Sequence, residues 1–349
     1  MAESQQLVLR HPIPNQAWLA KRTEDIVEPD LPIVDPHHHL WDHPGDKYYL
    51  NELLGDLTSG HNIVATVFLQ CLSAYRSSGP EEMRPVGETE FVASVAVEAE
   101  RRKAPARVCA GIVGHVDLRH GEKVDSVLEA HIEASGGRFR GIRQISARHR
   151  NFMANIGTPP PFELMADPAF RNGFASLAKY GLSFDAWLYH TQIGDLTDLA
   201  RAFPDTPMVL NHVGGPLGVG QYRGKRDEVF AAWHAALKTL ATCPNVYVKL
   251  GGLGMAVNGF DFHENILPPS SGALAHAWRP YLETSIEAFG VSRCMFESNF
   301  PVDKGAYTYA AYWNACKILT RGASSSKKAN LFADTAARFY RIDVNLAAP

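Results

Sequence analysis

The residues of this chain that first suggest chemistry are histidines, of which there are 15 among 349 residues. Three of them, His37, His38 and His39, end a run of residues typical of a β-strand. Alternate side chains of a strand share a face, so His37 and His39 are expected to point together and His38 away from them. Two imidazoles on one face can hold a divalent metal ion or bind an oxyanion. The spacing therefore predicts a functional pair, with a surface run of histidines as the alternative.

Further polar residues occur at the ends of later strand-like runs. His190 ends LSFDAWLYH, His212 lies in VLNHVGGP, Lys249 lies in VYVKLGG, and Asn299 lies in FESNFPVDK. A single histidine at the end of a strand is more often structural than catalytic. These side chains can meet only if the strands end at the same edge of one sheet, so their interpretation depends on the fold.

Eight short apolar runs alternate with segments whose apolar residues recur at helical spacing. The runs are rich in β-branched and aromatic residues, which is typical of strands buried on both faces of a parallel sheet. They cover residues 33–37, 63–71, 106–116, 139–145, 182–190, 207–214, 245–252 and 293–300. The helical segments cover residues 86–103, 122–135, 168–181, 195–204, 226–243, 272–290, 306–322 and 324–342.

This alternation predicts an α/β protein with the TIM or (β/α)8 barrel fold, in preference to two separate domains. We assign residues 1–32 to an N-terminal extension and residues 33–349 to a single barrel. Catalytic groups of a barrel lie on the loops that follow its strands. The long segments 151–167 and 254–272 are therefore expected to cover an active site, with plain surface loops as the alternative.

The composition excludes several classes of function. With 34 Lys and Arg against 37 Asp and Glu, the net charge of −3 provides no basic field for nucleic-acid phosphates and no polybasic membrane patch. The N-terminus lacks the pattern of a signal peptide, and the apolar runs are far shorter than the roughly 20 residues that span a bilayer. We expect a cytoplasmic protein with a small-molecule substrate and neither a nucleic-acid nor a membrane partner. Whether it forms a homo-oligomer stays open.

Four ordered motifs carry a family resemblance. The opening Asp-x-His-x-His-Leu-Trp, NHVGGP, VYVKLGG and the closing Ser-x-x-Pro resemble the amidohydrolase superfamily. More narrowly, they resemble the lactonase-like branch of its amidohydrolase 2 family, with 2-pyrone-4,6-dicarboxylate lactonase, 4-sulfomuconolactone hydrolase and sugar-acid lactonases. The resemblance runs from about Ile33 to Tyr340. It implies a TIM barrel that hydrolyses a cyclic ester.

The resemblance also implies roles for individual residues. His37 and His39 would occupy metal-ligand positions, and His212 would polarise the substrate carbonyl or help to bind the metal. Arg143 matches an arginine that contacts a carboxylate substrate, although a structural ion pair explains it equally well. His190 is our candidate for protonating the leaving oxygen.

Three aromatic residues, Trp41, Trp187 and Phe300, are candidates for the apolar walls of a substrate site. Plain packing is the alternative for each of them.

One departure from the family pattern concerns the eighth strand. Relatives usually carry Ser/Thr-Asp-Trp-Pro there, and the Asp binds metal and activates water, whereas this chain has Asn299. An amide cannot act as a general base. Strand alternation puts Glu297 on the same face as Asn299 but one layer deeper, and Asp303 lies on the following loop. Both are candidates for the replacement base, and we favour Asp303, for which a solvated Asp303–Lys304 pair is the alternative.

The departure also leaves the cofactor open. One divalent metal ion, Zn²⁺ or Mn²⁺, would bind to His37, His39 and His212, while some lactonases of this branch work without a metal. The preferred function is hydrolysis of a small, carboxylated lactone or related cyclic ester. The alternatives are metal-dependent non-oxidative decarboxylation of an aromatic acid, isomerisation of a lactone, and non-catalytic ligand binding.

Overall fold

A computed structural model of the chain describes residues 7–154 and 158–344 and contains one sheet of eight parallel strands. Each strand pairs with the next one along the chain. The first and last strands meet where His39 N donates to Phe300 O at 2.8 Å and Asn299 N donates to His37 O at 3.0 Å. The predicted TIM barrel is therefore confirmed. Its strands are β1 (Ile33–His38), β2 (Ile63–Leu69), β3 (Arg107–Gly114), β4 (Phe139–Arg143), β5 (Ser183–Ala186), β6 (Met208–Leu210), β7 (Val246–Leu250) and β8 (Cys294–Phe296).

The strands are buried on both faces, which explains their continuous apolar sequences. All six residues of β1 are buried, including Val34, which packs in a cluster inside the barrel with Val67, Val113 and Val209. Side chains of the last helix, among them Phe339, belong to the same cluster. The interior is thus a packed core, and the C-terminal helix closes the end at which the strands begin.

The helices surround this barrel and follow the predicted order. Two features differ: the helix predicted at 168–181 is divided at Ala175, and the closing segment contains a π-helical stretch, Asn330–Asp334. The helices of the described residues are α1 (Gln16–Leu19), α2 (Leu50–Leu57), α3 (Val86–Arg101), α4 (Val124–Ala134), α5 (Pro168–Phe174), α6 (Ser176–Lys179), α7 (Ile193–Ala202), α8 (Arg226–Ala241), α9 (Ser271–Phe289), α10 (Tyr309–Leu319), α11 (Ser325–Ala329) and α12 (Thr335–Tyr340).

Loops and the N-terminal segment cover the end of the barrel at which the strands terminate. Within the predicted loop 151–167, Phe152–Ala154 pairs in parallel with Leu7–Leu9, while residues 155–157 lie outside the described residues. The loop after β1 forms a small antiparallel pair between Trp41–His43 and Asp46–Tyr48. Among the helices of the described chain, none has the length and apolar character needed to cross a membrane.

Acid is expected to destabilise the fold through its buried histidines, for which His131 on α4 is a clean test. His131 Nε2 donates to His115 O at 3.0 Å, and the Thr89 hydroxyl donates to Nδ1 at 2.8 Å, so the ring is neutral. Burial lowers the pKa of His131 to about 4, against about 6.5 in an unfolded chain. Between these values the unfolded chain binds more protons, so stability falls as the pH drops from 6.5 to 4.

Urea unfolding at several pH values between 7 and 4.5 measures this loss. His131→Gln is expected to remove on the order of 2 kcal/mol of the pH dependence. The exposed His120 provides the control, since His120→Gln is expected to leave the slope of the wild type. An unchanged slope in His131→Gln would contradict the prediction.

Candidate active site

Three buried side chains, His37, His212 and Glu297, meet at the end of the barrel at which the strands terminate. His37 lies in β1, His212 follows β6, and Glu297 follows β8. Glu297 Oε1 accepts hydrogen bonds from His212 N at 2.9 Å and from Nδ1 of the same residue at 2.8 Å. Glu297 Oε2 lies 2.6 Å from His37 Nδ1 but is not aligned for a hydrogen bond with any described residue. One carboxylate therefore joins the two histidines.

Two glycines after β7 make this arrangement possible. Gly252 has a φ of +68°, and a Cβ atom at this position would overlap the imidazole of His212. A Cβ atom on Gly251 would overlap the backbone oxygen of Glu297. The Gly-Gly of VYVKLGG is thus explained by the close approach of two site residues.

Burial controls the protonation of the three groups. It raises the pKa of Glu297 to about 8, although the nearby Lys249 acts in the opposite direction. Burial also holds the pKa of His37 and of His212 well below the usual value, and the cations Lys249 and Arg143 lower both further. Both imidazoles are therefore neutral at pH 7, and Glu297 loses its proton only as the pH approaches 8.

Two buried cations flank His37. Lys249 Nζ of β7 lies 3.3 Å from His37 Nδ1, donates to Pro36 O at 2.8 Å and pairs with Asp185 of β5 at 2.8 Å. On the other side, Arg143 Nη1 donates to His37 Nε2 at 3.2 Å. Lys249 and Asp185 have no exposed surface. The positive charge beside His37 is therefore fixed in position.

The Asp185 carboxylate is held by further donors. Tyr340 OH, from α12, donates to Asp185 Oδ1 at 2.8 Å, and Asn211 Nδ2 donates to the same oxygen at 3.0 Å. A chain of polar contacts thus connects the closing helix at one end of the barrel with His37 at the other. The sequence places Lys249 among the polar residues at strand ends but assigns it no role, and it does not single out Asp185, although a charged residue within an otherwise apolar strand run is a usable signal.

The same three residues could hold a metal ion. His37, His212 and Glu297 each offer a ligand atom, and these atoms lie within 4.8 Å of one another. Two imidazole nitrogens and one carboxylate oxygen form a donor set suited to catalytic zinc, and the unpartnered Glu297 Oε2 is a ready ligand. This set differs from the predicted one, because Glu297 takes the place of His39. His39 Nδ1 instead donates to Leu69 O at 2.8 Å.

The eighth-strand residues lie differently from the sequence expectation. β8 ends at Phe296, so strand alternation does not extend to Asn299, whose φ is +56°. Asn299 Nδ2 donates to Asp303 Oδ1 at 3.1 Å, while Gly254 N and the Tyr307 hydroxyl donate to Asp303 Oδ2. Burial raises the pKa of Asp303 to about 7. These contacts hold Asp303, the favoured base, as a buried loop anchor.

The predicted aromatic walls are only partly at the site. The edge of Trp187 meets the His212 ring, with centroids 4.7 Å apart, and Trp41 stacks on His39 at 5.7 Å. Phe300 is fully buried and packs against Tyr309, behind the site. Two of the three side chains therefore touch the histidines of the site.

His190 lies at the start of the turn after β5. Leu217 N donates to His190 Nδ1 at 3.3 Å, and the Tyr222 ring lies 5.3 Å from its ring. Burial lowers the pKa of His190 to about 4, so its proton is carried by Nε2 of a neutral ring. Within residues 7–154 and 158–344, no hydrogen bond or ring contact joins His190 to His37 or His212.

Comparison with known proteins agrees with this fold. The Amidohydro_2 family, described as amidohydrolase, matches residues 34–342. The chain is 37% identical to the uncharacterized protein y4mH of Sinorhizobium fredii, over 90% of this chain and 99% of that protein. It is 26% identical to an L-fucono-1,5-lactonase of Burkholderia ambifaria, over 89% of this chain and 96% of the relative.

A solved structure has the same fold. It is an amidohydrolase from Burkholderia multivorans with bound zinc, 22% identical in sequence, with a TM-score of 0.69 over 89% of this chain and 99% of the other. The family match covers nearly the whole barrel and includes every strand-end residue of the site. This protein therefore belongs to the amidohydrolase family and is an enzyme of the hydrolase type.

Proposed function

We propose that this enzyme opens a small, carboxylated lactone by attack of water on the ring ester. The observation that carries the proposal is the position of Glu297 between His37 and His212. Asn299 has no proton-accepting carboxylate, and Glu297 supplies one two residues earlier in the chain. Similarity to lactonases of the same family supports this choice of substrate class.

Glu297 is the general base in this proposal. Its Oε1 is held by two N–H groups of His212, which leaves Oε2 to take the proton of the attacking water. A pKa of about 8 suits this role, because a base works best when its pKa lies near the pH of the reaction. Asp303, in contrast, anchors the turn after β8.

The cations beside His37 stabilise the developing negative charge. Lys249 and Arg143 lie within 3.3 Å of the His37 nitrogens, and fixed charges in a water-poor site act strongly on an oxyanion. Arg143 also meets the substrate carboxylate through its unpartnered Nε. The proton that Glu297 takes from water passes to the leaving alkoxide, which restores the base. The predicted role of His190 as the acid stays a prediction, because its ring contacts Leu217 N and Tyr222.

As an alternative to this metal-free mechanism, His37, His212 and Glu297 would hold a divalent metal ion. Glu297 Oε2 would then be a ligand, so its role as general base belongs to the site without a metal ion. When bound, a metal ion polarises the ester carbonyl and lowers the pKa of water. The chain's own residues then orient the lactone: Trp187 packs beside His212, and Arg143 fixes the carboxylate end.

Titration at constant pH with a panel of carboxylated lactones tests the proposal. We expect one equivalent of acid per lactone opened, and loss of most of kcat/KM in His37→Ala and His212→Ala. Release of CO2 from an aromatic acid would identify a decarboxylase, and conversion without acid release would identify an isomerase. Ligand-dependent thermal stabilisation without turnover would indicate a binding protein. Near-wild-type kcat/KM in both variants would overturn the mechanism.

A further inference from the structure

Four polar atoms without hydrogen-bond partners lie around the end of β2 and the loop that follows it. They are Gln70 Oε1, Tyr75 OH, Glu88 Oε2 and Arg143 Nε, and none has a partner among the described residues. Gln70 and Glu88 are each 1% exposed, and Arg143 is 4% exposed. Buried polar groups normally have partners, because leaving them unpaired costs free energy. A concentration of such atoms at one place therefore indicates a ligand.

Direct contacts connect this group of residues with the catalytic histidine. Arg143 Nη2 donates to Gln70 O, and Arg143 Nη1 donates to His37 Nε2 at 3.2 Å. Gln70 Nε2 donates back to Arg143 O at 3.4 Å. Arg143 and Gln70 therefore form a polar wall beside His37, and Tyr75 and Glu88 lie near enough to interact electrostatically with Arg143.

Glu88 is built into this wall by one of its two oxygens. Its Oε1 accepts from Cys71 N at 2.9 Å and from Ser73 N at 2.8 Å, which holds the loop after β2. Its Oε2 makes no such bond. Loop anchoring thus explains one oxygen of Glu88 and leaves the other unexplained.

The chemistry of the four atoms defines what would satisfy them. Arg143 Nε and Tyr75 OH can donate, whereas Gln70 Oε1 only accepts. Glu88 Oε2 accepts once the carboxyl is ionised, and burial raises its pKa to about 7. A carboxylate alone would satisfy the donors but would face Glu88 with like charge. A ligand with a hydroxyl on the carbon next to the one that carries its carboxylate would satisfy both the donors and the acceptors.

We propose that Gln70, Tyr75, Glu88 and Arg143 form a subsite for the substrate carboxylate. This subsite selects lactones with a hydroxyl on the ring carbon next to the one that carries the carboxylate. The inference rests on the proposed lactone hydrolysis and extends it to a substrate class. Arg143 and Tyr75 bind the carboxylate, and Glu88 and Gln70 accept the hydroxyl proton. Sites built to accept a hydroxyl reject the analogue that lacks it, because their own polar groups then stay unpaired.

A matched pair of substrates tests the subsite: 5-oxotetrahydrofuran-2-carboxylate and its 3-hydroxy derivative. Wild-type kcat/KM is expected to favour the hydroxylated lactone by about 10- to 100-fold. Glu88→Gln can keep an oxygen facing Cys71 N and Ser73 N but places an NH2 donor at the Oε2 position. It is expected to lower kcat/KM for the hydroxylated lactone more than for the plain lactone, and so to abolish the preference.

Gln144→Met is the control for Gln70→Met. Gln144 is a buried amide of the neighbouring loop whose two ends are both satisfied, by Leu118 N and Asp117. Both variants are expected to lower stability, and only Gln70→Met to reduce the preference for the hydroxylated lactone. Equal losses for the two lactones in Glu88→Gln, or no preference in the wild type, would overturn the subsite.

Binding measurements separate this inference from the proposed function. If neither lactone is turned over, the proposed hydrolysis fails for these substrates. Calorimetry still tests the subsite with the two carbocyclic acids in which CH2 replaces the ring oxygen, 3-oxocyclopentane-1-carboxylate and 2-hydroxy-4-oxocyclopentane-1-carboxylate. Tighter binding of the acid with the additional hydroxyl, lost in Glu88→Gln, would support it. Equal binding of the two acids, or binding of neither, would overturn it.

Discussion

Glu297→Gln is expected to lower kcat/KM for lactone hydrolysis by about 10²- to 10⁴-fold, the usual contribution of a general base. The amide keeps the size of the side chain, and its oxygen can still accept from His212 N at the Oε1 position. It cannot take up a proton, however, and it removes the negative charge between His37 and His212. Steady-state assays with a carboxylated lactone measure the loss.

The pH profile gives a second measurement on the same variant. Since burial raises the pKa of Glu297 to about 8, the base is protonated below this value, and wild-type kcat/KM is expected to rise with pH up to about 8. This acid limb should be absent from the residual activity of Glu297→Gln. A limb that persists unchanged in the variant would assign the titration to another group.

Asp303→Asn is the matched control, since Asp303 is the other buried carboxylate after β8. It accepts hydrogen bonds from Gly254 N and from Asn299, each at 3.1 Å, and these contacts anchor a turn. We expect Asp303→Asn to lower stability by about 1–2 kcal/mol and kcat/KM by less than about tenfold. If Asp303→Asn loses activity as severely as predicted for Glu297→Gln, while Glu297→Gln retains it, the two roles are reversed.

Lys249→Met is expected to lower the free energy of unfolding by about 3–5 kcal/mol, because it leaves the Asp185 carboxylate buried without its cation. The two groups lie 2.8 Å apart with no exposed surface, so water cannot replace the lost partner. Lys249 also donates to Pro36 O in β1, so its loss removes a contact that positions His37. Urea unfolding at pH 7 measures the effect.

The double variant Lys249→Met/Asp185→Asn separates an unpaired charge from lost packing. It should be more stable than Lys249→Met alone, because replacing both charges removes the desolvation penalty. The Lys304–Asp56 pair is the control: its atoms lie 2.6 Å apart, but the side chains are 12% and 13% exposed. Lys304→Met is expected to cost less than Lys249→Met. Equal costs for the two lysine variants would refute the effect of full burial.

The fold was predictable because its signals are local. The continuous apolar run of β2 contrasts with the helical spacing of α3, and this contrast recurs along the barrel. His37 and His212 were recognisable for the same reason, since each lies in a short motif at the end of a strand. Boundaries were less certain, as at Ala175, where one predicted helix is divided in two.

The sequence by itself determined the barrel, the positions of His37 and His212 at the ends of its first and sixth strands, and the absence of a carboxylate at Asn299. Which carboxylate lies beside the histidines was decided by the tertiary structure. Glu297 and Asp303 are both close to Asn299 in the chain, but β8 ends at Phe296, and the turn that follows directs Glu297 to the histidines. Likewise, the contacts of Lys249 with Asp185 and His37 join three separate strands, and such distances depend on how the barrel closes.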